Sequence, residues 1–130
     1  MKKILALGAC ALFALTACGP PQDGDNAALA QCLTDKGVKM YGAWWCHNCD
    51  NQKTLFGSDF RYIDYTECEP GGDQAPDPEA CQDAGIEGYP TWVFPGLGDT
   101  PGTPLNLAGT RSLEELARVS GCTDITTTEE

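Results

Sequence analysis

Two cysteines separated by two residues, Cys46 and Cys49, are the side chains of this sequence best placed to do chemistry. A Cys-x-x-Cys loop closes into a small disulfide ring and reopens by thiol–disulfide exchange. The pair follows a short apolar stretch and begins a predicted helix, whose N-terminal N–H groups and partial positive charge favour a thiolate. We therefore predict a redox-active disulfide in which Cys46 is the exposed attacking sulfur and Cys49 the resolving one.

Zinc sites and static disulfides use the same spacing, so the spacing alone is a weak indication. A structural zinc site needs four ligands, and His47 is the only histidine of the chain. We therefore expect no metal and no organic cofactor. The alternative is a binding protein without exchange activity, whose Cys46–Cys49 pair is structural or metal-binding, and such a pair would resist mild reductant.

The start of the chain is typical of an exported lipoprotein. Two lysines precede an apolar run over residues 4–15, which is too short to be a stable membrane span. The segment LTAC at 15–18 resembles a bacterial lipobox, so residues 1–17 would be a signal peptide and Cys18 would be lipidated. An ordinary secretory signal cut after Ala17 is the alternative. Either signal carries the domain out of the cytoplasm, where disulfides persist.

The rest of the chain divides into three predicted parts. Residues 18–28 are predicted to be the lipidated cysteine and a flexible Gly/Pro-rich tether, 29–122 one small domain, and 123–130 an acidic tail. The net charge of −11 argues against nucleic acid and against docking on anionic lipid. Gly19 replaces the aspartate that often retains lipoproteins in the inner membrane, which slightly favours the outer membrane of a Gram-negative cell.

Hydrophobic periodicity and turn residues predict the element order α-β-α-β-α-β-β-α. Helix starts are marked by Asn26, by Cys46, by the Asp77-Pro78 pair and by the capping box Ser112–Glu115. The predicted ranges are helix 26–35, strand 38–43, helix 46–56, strand 61–66, helix 77–84, strands 91–94 and 105–108, and helix 112–120.

Four segments of the sequence carry a resemblance to a known family. They are KMYGAWWC at 39–46, QKTLFG at 52–57, AGIEGYPTW at 84–92 and SLEELA at 112–117. Over residues 28–122 the chain resembles the thioredoxin superfamily, and most of all the small thioredoxin-like domains fused to, or found alongside, bacterial and plant homologues of vitamin K epoxide reductase. The resemblance implies a three-layer α/β fold with a central sheet of about four strands flanked by helices.

The resemblance also implies the surroundings of the redox pair. Pro90 would follow a cis peptide bond, and the Tyr89 backbone before it would face the Cys46 sulfur. This loop would then pair with an extended segment of a substrate protein, as in strand addition. Trp45, directly before the first cysteine, would border the active site.

Two departures from the family are visible in the sequence. His47 and Asn48, both predicted active-site neighbours, stand where the family more often has proline then histidine, and the change bears on the redox potential. For His47, tuning of the thiolate and a solvated loop position are both open. Met40 stands where many thioredoxins keep a buried carboxylate that moves protons at the second cysteine. We therefore expect that route to be absent, with a nearby lysine or water in its place.

Four further cysteines of the domain allow three disulfide pairings. The resemblance implies a bridge between Cys68 and Cys81, which flank a Gly/Pro-rich loop. Cys32 and Cys122 would then tie the first helix to the last. Both bridges would be structural. The alternative is that Cys68 and Cys81 form a second redox pair, which relays electrons to the active-site pair.

These inferences together predict an extracytoplasmic, lipid-anchored thiol–disulfide oxidoreductase of thioredoxin fold. Its substrates would be cysteine-containing secreted or envelope proteins, and the direction of electron flow is open between oxidase and reductase. By resemblance, a membrane enzyme of the vitamin K epoxide reductase type would be its redox partner. The lipid anchor would provide the contact with the membrane.

Overall fold

A computed structural model describes residues 22–123 of the chain. The predicted signal peptide (1–17), Cys18 and residues 124–130 lie outside the described residues. The first half contains α1 (Ala27–Asp35), β1 (Lys39–Gly42), α2 (His47–Phe56) and a 3-10 helix (Gly57–Tyr62). The second half contains β2 (Asp64–Glu67), α3 (Pro78–Asp83), β3 (Thr91–Phe94), β4 (Leu105–Ala108) and α4 (Leu113–Ser120). No helix within residues 22–123 is long and apolar enough to cross a bilayer.

The four strands form one mixed sheet in the order β2-β1-β3-β4. β1 runs parallel to β2 and antiparallel to β3, and β3 continues antiparallel into β4. A parallel pair needs a crossover of a dozen or more residues, and α2 with the 3-10 helix supplies it. Helices flank the sheet, so the predicted thioredoxin-like α/β fold is confirmed.

Apolar side chains from the strands and helices meet in one core around the central strands. The largest of those that are almost fully buried are Leu33, Met40, Phe56, Trp92, Phe94 and Leu116. Burying a side chain of this size contributes about 2 kcal/mol relative to leaving it exposed. The core thereby fixes the end of β1 and the start of α2, between which Cys46 lies.

The buried carboxylate of Asp59 holds the segment that leads into α1. Its oxygens accept the backbone N–H groups of Gly24 at 2.8 Å and Asn26 at 3.0 Å. Asn26 stands at the expected N-cap, but its side chain makes no capping bond and donates to the Leu55 carbonyl instead. Residues 24–28 are therefore held against the domain, although the sequence had placed them in the tether over 18–28.

The 3-10 helix between α2 and β2 was not predicted. Gly57 ends α2 with a φ of 59°, and the chain then turns through Gly57–Tyr62 before β2 begins at Asp64. The predicted strand 61–66 therefore began three residues too early. Phe60 and Ile63 pack on the core, and apolar residues at this spacing do not distinguish a short strand from a turn of helix.

Two disulfides join different elements of the fold. Cys32 of α1 is bonded to Cys122, just after α4, and Cys68, just after β2, is bonded to Cys81 of α3. The structure thus joins the same pairs that the sequence and its resemblance suggested. Each bridge ties a helix to a segment from another part of the chain.

Candidate active site

Cys46 occupies the N-cap of α2. Its backbone is extended, and its Sγ accepts the backbone N–H of Cys49 at 3.2 Å. The sulfur therefore lies where the N-terminal N–H groups of a helix can interact with a negative charge. The Cys46 side chain is nevertheless only 6 % exposed, which corrects the prediction of an exposed sulfur. Its bond to the Cys49 amide turns the sulfur towards the helix.

Cys49 lies one helical turn further in and is completely buried. Burial raises the pKa of its thiol to about 12, and the hydrogen bond to Cys46 adds to the rise, while the charge of Lys53 opposes it. Cys46 and Cys49 are not bonded to each other in this structure, which therefore shows the reduced form of the pair. At neutral pH Cys49 therefore keeps its proton.

This raised pKa predicts a distinctive alkylation profile for Cys49. Because only the thiolate reacts, the rate of Cys49 modification by iodoacetamide should rise about tenfold per pH unit from about pH 8 to about pH 10, without levelling off. Mass spectrometry of the reduced protein, after pulses of reagent at each pH, measures the rate. A plateau near pH 9 would show that the Cys49 thiol has an ordinary pKa.

A groove of about 340 Å³ lies beside the redox pair. Its lining residues come from the start of α2 and from the segment before β3: Trp45, Cys46, His47, Asn48, Glu87, Gly88 and Tyr89. Trp45 is 59 % exposed and meets the Tyr89 ring edge-on, with 5.9 Å between the ring centroids. All the predicted neighbours except Pro90 therefore line the groove together with Cys46. Gly88 also lines it, and so does Glu87, which was not predicted.

Tyr89 and Pro90 form the segment that leads from this groove into β3. The peptide bond between them is cis, and Pro90 is buried. The Tyr89 hydroxyl donates to Glu69 at 3.0 Å. Burial and this hydrogen bond raise the pKa of Tyr89 to about 12, so the ring stays a neutral phenol at physiological pH. The Tyr89 ring thereby presents an uncharged wall to a substrate.

His47 and Asn48 are both exposed at the start of α2. The Asn48 carbonyl accepts the Thr110 hydroxyl at 3.1 Å, and this bond links the start of α2 to the loop after β4. Within residues 22–123 no group of three or more His, Cys, Asp or Glu side chains is placed to hold a metal ion.

Gln52 is a site residue whose role the sequence analysis missed. It is completely buried on α2, and its Oε1 accepts the Trp92 indole N–H at 3.0 Å and the Arg111 backbone N–H at 2.7 Å. Its amide also donates to the Arg111 carbonyl at 3.0 Å. These bonds fix α2 against β3 and the loop before α4. The sequence contained a signal for this residue, because Gln52 belongs to the QKTLFG segment at 52–57, which carries part of the family resemblance.

We expect Gln52→Leu to lower the free energy of unfolding by about 3 kcal/mol, since it leaves several buried donors and acceptors without partners. Urea denaturation of the reduced and oxidised protein measures the change. Asn51→Leu, one position earlier at an exposed site on the same helix, is the control and should change stability by less than about 0.5 kcal/mol. Equal effects of the two substitutions would contradict the role given to Gln52.

The chain is similar to the thiol-disulfide oxidoreductase LTO1 of Arabidopsis thaliana, with 41 % identity over 97 residues. The aligned region covers 72 % of this chain and 24 % of the plant protein, so the chain spans about a quarter of the length of that relative. No protein-family model matches the chain. The similarity supports a place in a thiol-redox family.

Proposed function

We propose that this protein is a thiol–disulfide oxidoreductase that acts outside the cytoplasm, is anchored by a lipid on Cys18, and exchanges disulfides with secreted or envelope proteins. The observation that carries the activity is the arrangement of the pair. Cys46 accepts an amide donor at the N-cap of α2, Cys49 is a buried thiol behind it, and a groove lies beside them. The similarity to a protein named as a thiol-disulfide oxidoreductase supports the same chemistry.

The proposed reaction proceeds in two exchange steps. The Cys46 thiolate attacks one sulfur of a client disulfide, forms a mixed disulfide and expels the other client sulfur as a thiolate. Cys49 then loses its proton and attacks the Cys46 sulfur, which closes the Cys46–Cys49 bond and releases the second client thiolate. Two electrons pass from the pair to the client. The same steps in reverse oxidise a client dithiol.

The activity is tested by equilibrating the purified protein in glutathione buffers of graded potential and counting the alkylated cysteines by mass spectrometry. We expect the Cys46–Cys49 pair to open while Cys32–Cys122 and Cys68–Cys81 persist. A potential near about −120 mV would indicate an oxidant, and one near about −270 mV a reductant. A pair that resists all these buffers would be structural and would contradict the proposal.

The same titration separates two roles for the second bridge. If Cys68–Cys81 persists at potentials that open the active-site pair, it is a structural bridge, because such bridges typically lie below about −300 mV. If it opens together with Cys46–Cys49, it serves as a relay pair.

The proposed location outside the cytoplasm is supported by the lipobox-like LTAC segment at 15–18 and by the two bridges of the domain. Such bridges persist in oxidising compartments and are rare in the cytosol. By the family resemblance, the proposed redox partner is a membrane enzyme of the vitamin K epoxide reductase type. With that partner as the electron acceptor, the protein would be a disulfide donor.

The proposed anchor predicts the behaviour of a Cys18→Ser variant in a bacterial host. The variant should be lost from the membrane fraction and accumulate as unprocessed precursor, because serine offers no thiol for lipid attachment. Cell fractionation and the mass of the recovered protein measure both effects. Cys10→Ser, in the apolar run of the signal, is the matched control and should behave like wild type. A Cys18→Ser protein that is processed and stays in the membrane would exclude the lipid anchor.

A further inference from the structure

Behind the redox pair lies a buried carboxylate that the two exchange steps do not yet use. Glu67, the last residue of β2, is 4 % exposed. Its Oε1 accepts the backbone N–H groups of Trp44 and Glu69, each at 3.1 Å, and its Oε2 accepts the Tyr65 hydroxyl at 3.0 Å. Burying a carboxylate is costly unless it is paired, and such groups near reacting atoms are candidates for proton transfer.

Tyr65 lies between this carboxylate and the surroundings of Cys49. Tyr65 and Glu67 are two positions apart on β2 and therefore point to the same face of the sheet. A Cβ placed on Gly42 of the neighbouring strand would lie 2.9 Å from the Tyr65 hydroxyl oxygen and 3.0 Å from Cys49 Sγ. The hydroxyl and the sulfur thus border the same small space, which glycine leaves open.

The groups around Cys49 leave few acceptors for its proton. They are Cys46 and Lys53 on the helix side, and Tyr65 with Glu67 behind it on β2. Burial, followed by the hydrogen bond to Glu67, raises the pKa of Tyr65, so this side chain is a neutral phenol that has a proton to pass on. Met40 of β1 is buried and apolar. The carboxylate nearest to this path therefore belongs to the adjacent strand.

We propose that Tyr65 and Glu67 are the proton relay for Cys49 in the resolving step, an inference that rests on the exchange activity proposed above. The Cys49 S–H bond breaks and its proton passes to the Tyr65 oxygen, while the phenolic proton of Tyr65 passes to Glu67 Oε2. The electron pair left on Cys49 forms the bond to the Cys46 sulfur, and the client sulfur leaves as a thiolate. In the reverse direction Glu67 returns the proton along the same path.

The test separates the two exchange steps with dithiobis(nitrobenzoate), a small aromatic disulfide. Attack by Cys46 releases one coloured thiolate, and attack by Cys49 on the resulting adduct releases a second, so stopped-flow absorbance gives both rates. In Glu67→Gln and in Tyr65→Phe we expect the second release to slow roughly 100-fold, as for the loss of a positioned proton acceptor. The first release should stay within about twofold, since the helix N-terminus at Cys46 is unchanged.

A pH series distinguishes the relay from a packing role. Raising the pH should reduce the difference in second-release rate between each variant and wild type, because hydroxide then removes the Cys49 proton directly. If a substitution instead displaces Cys49, the second release should stay slow at every pH. Asp64→Asn is the matched control: it removes a carboxylate from the same strand, but Asp64 is exposed and pairs with Lys39. Both release rates of this variant should equal those of wild type.

Four outcomes would overturn the relay. An unchanged second release in either variant excludes that residue from the path. Glu67 has a structural role if its substitution slows both releases equally. The same conclusion follows if the second release of the variant stays slow relative to wild type at every pH. Lys53, whose Nζ lies 4.3 Å from the centroid of the Tyr65 ring, is the competing group, because its charge lowers the pKa of Cys49. A second release slowed by Lys53→Met and unaffected by Glu67→Gln would assign stabilisation of the Cys49 thiolate to the lysine. If the wild type itself releases no thiolate, the proposed exchange activity fails, not the relay alone.

Discussion

Replacing Cys46 by alanine is expected to abolish disulfide exchange with both small disulfides and client proteins. Cys49 then remains as the only thiol of the pair, and it is completely buried with a pKa raised to about 12. A sulfur that is protonated at neutral pH and closed off from solvent cannot begin the attack. Turnover of a model disulfide substrate by the purified variant measures the loss.

Replacing Cys49 by alanine is expected to give the opposite defect. Cys46 can still attack, but nothing resolves the adduct, so mixed disulfides with client proteins accumulate and become visible on non-reducing gels. Asn51→Ala, on an exposed position of the same helix, is the control and should exchange like wild type. Adducts that accumulate in Cys46→Ala and are missing from Cys49→Ala would reverse the roles of the two sulfurs.

Removing the Cys32–Cys122 bridge by two alanine substitutions is expected to destabilise the domain more than removing Cys68–Cys81. The first bridge joins residues 90 apart and the second joins residues 13 apart. On the chain-entropy account, the free energy of unfolding should fall by about 4.5 kcal/mol in the first case and about 3 kcal/mol in the second. Urea denaturation monitored by tryptophan fluorescence measures both changes.

The two double variants are controls for each other, because each replaces two bonded cysteines by two alanines. A larger loss for Cys68–Cys81 would contradict the order expected from loop length and would point to local packing around that bridge. Exchange activity of both variants, measured well below their unfolding midpoints, should be close to that of wild type, since none of the four bridge cysteines lines the groove.

Local sequence signals predicted the fold and the position of Cys46 at the start of α2 well. The β-branched and aromatic run at 91–94 and the apolar residues at 105–108 are strands in the structure. The Ser112 hydroxyl accepts the Glu115 N–H as the capping box predicts. In each case neighbours within a few positions determine the outcome, and such patterns can be recognised directly in a sequence. The position of Cys46 at the N-terminus of α2 is another feature that such local patterns predict.

The features that sequence reasoning missed depend on partners far along the chain. In the sequence Asp59 is indistinguishable from a surface aspartate, but in the fold the segment 24–26 lies against it. Glu67 is likewise indistinguishable from a polar residue at the end of an edge strand, but in the fold it is bonded to the Tyr65 hydroxyl and the Trp44 amide. The burial and hydrogen bonding of these residues depend on three-dimensional packing, which the hydrophobic periodicity of the sequence does not indicate.

The bridge between Cys32 and Cys122 also bears on resistance to proteases. Every strand of the domain lies between these two cysteines, so a single cut between them leaves two fragments that are still one covalent molecule. In the exposed loop over residues 70–79, a cut also falls inside the Cys68–Cys81 bridge, and two bonds then hold the fragments. A protease that cuts once between these two cysteines can nick this domain but cannot divide it. Separation of the pieces requires a reductant as well.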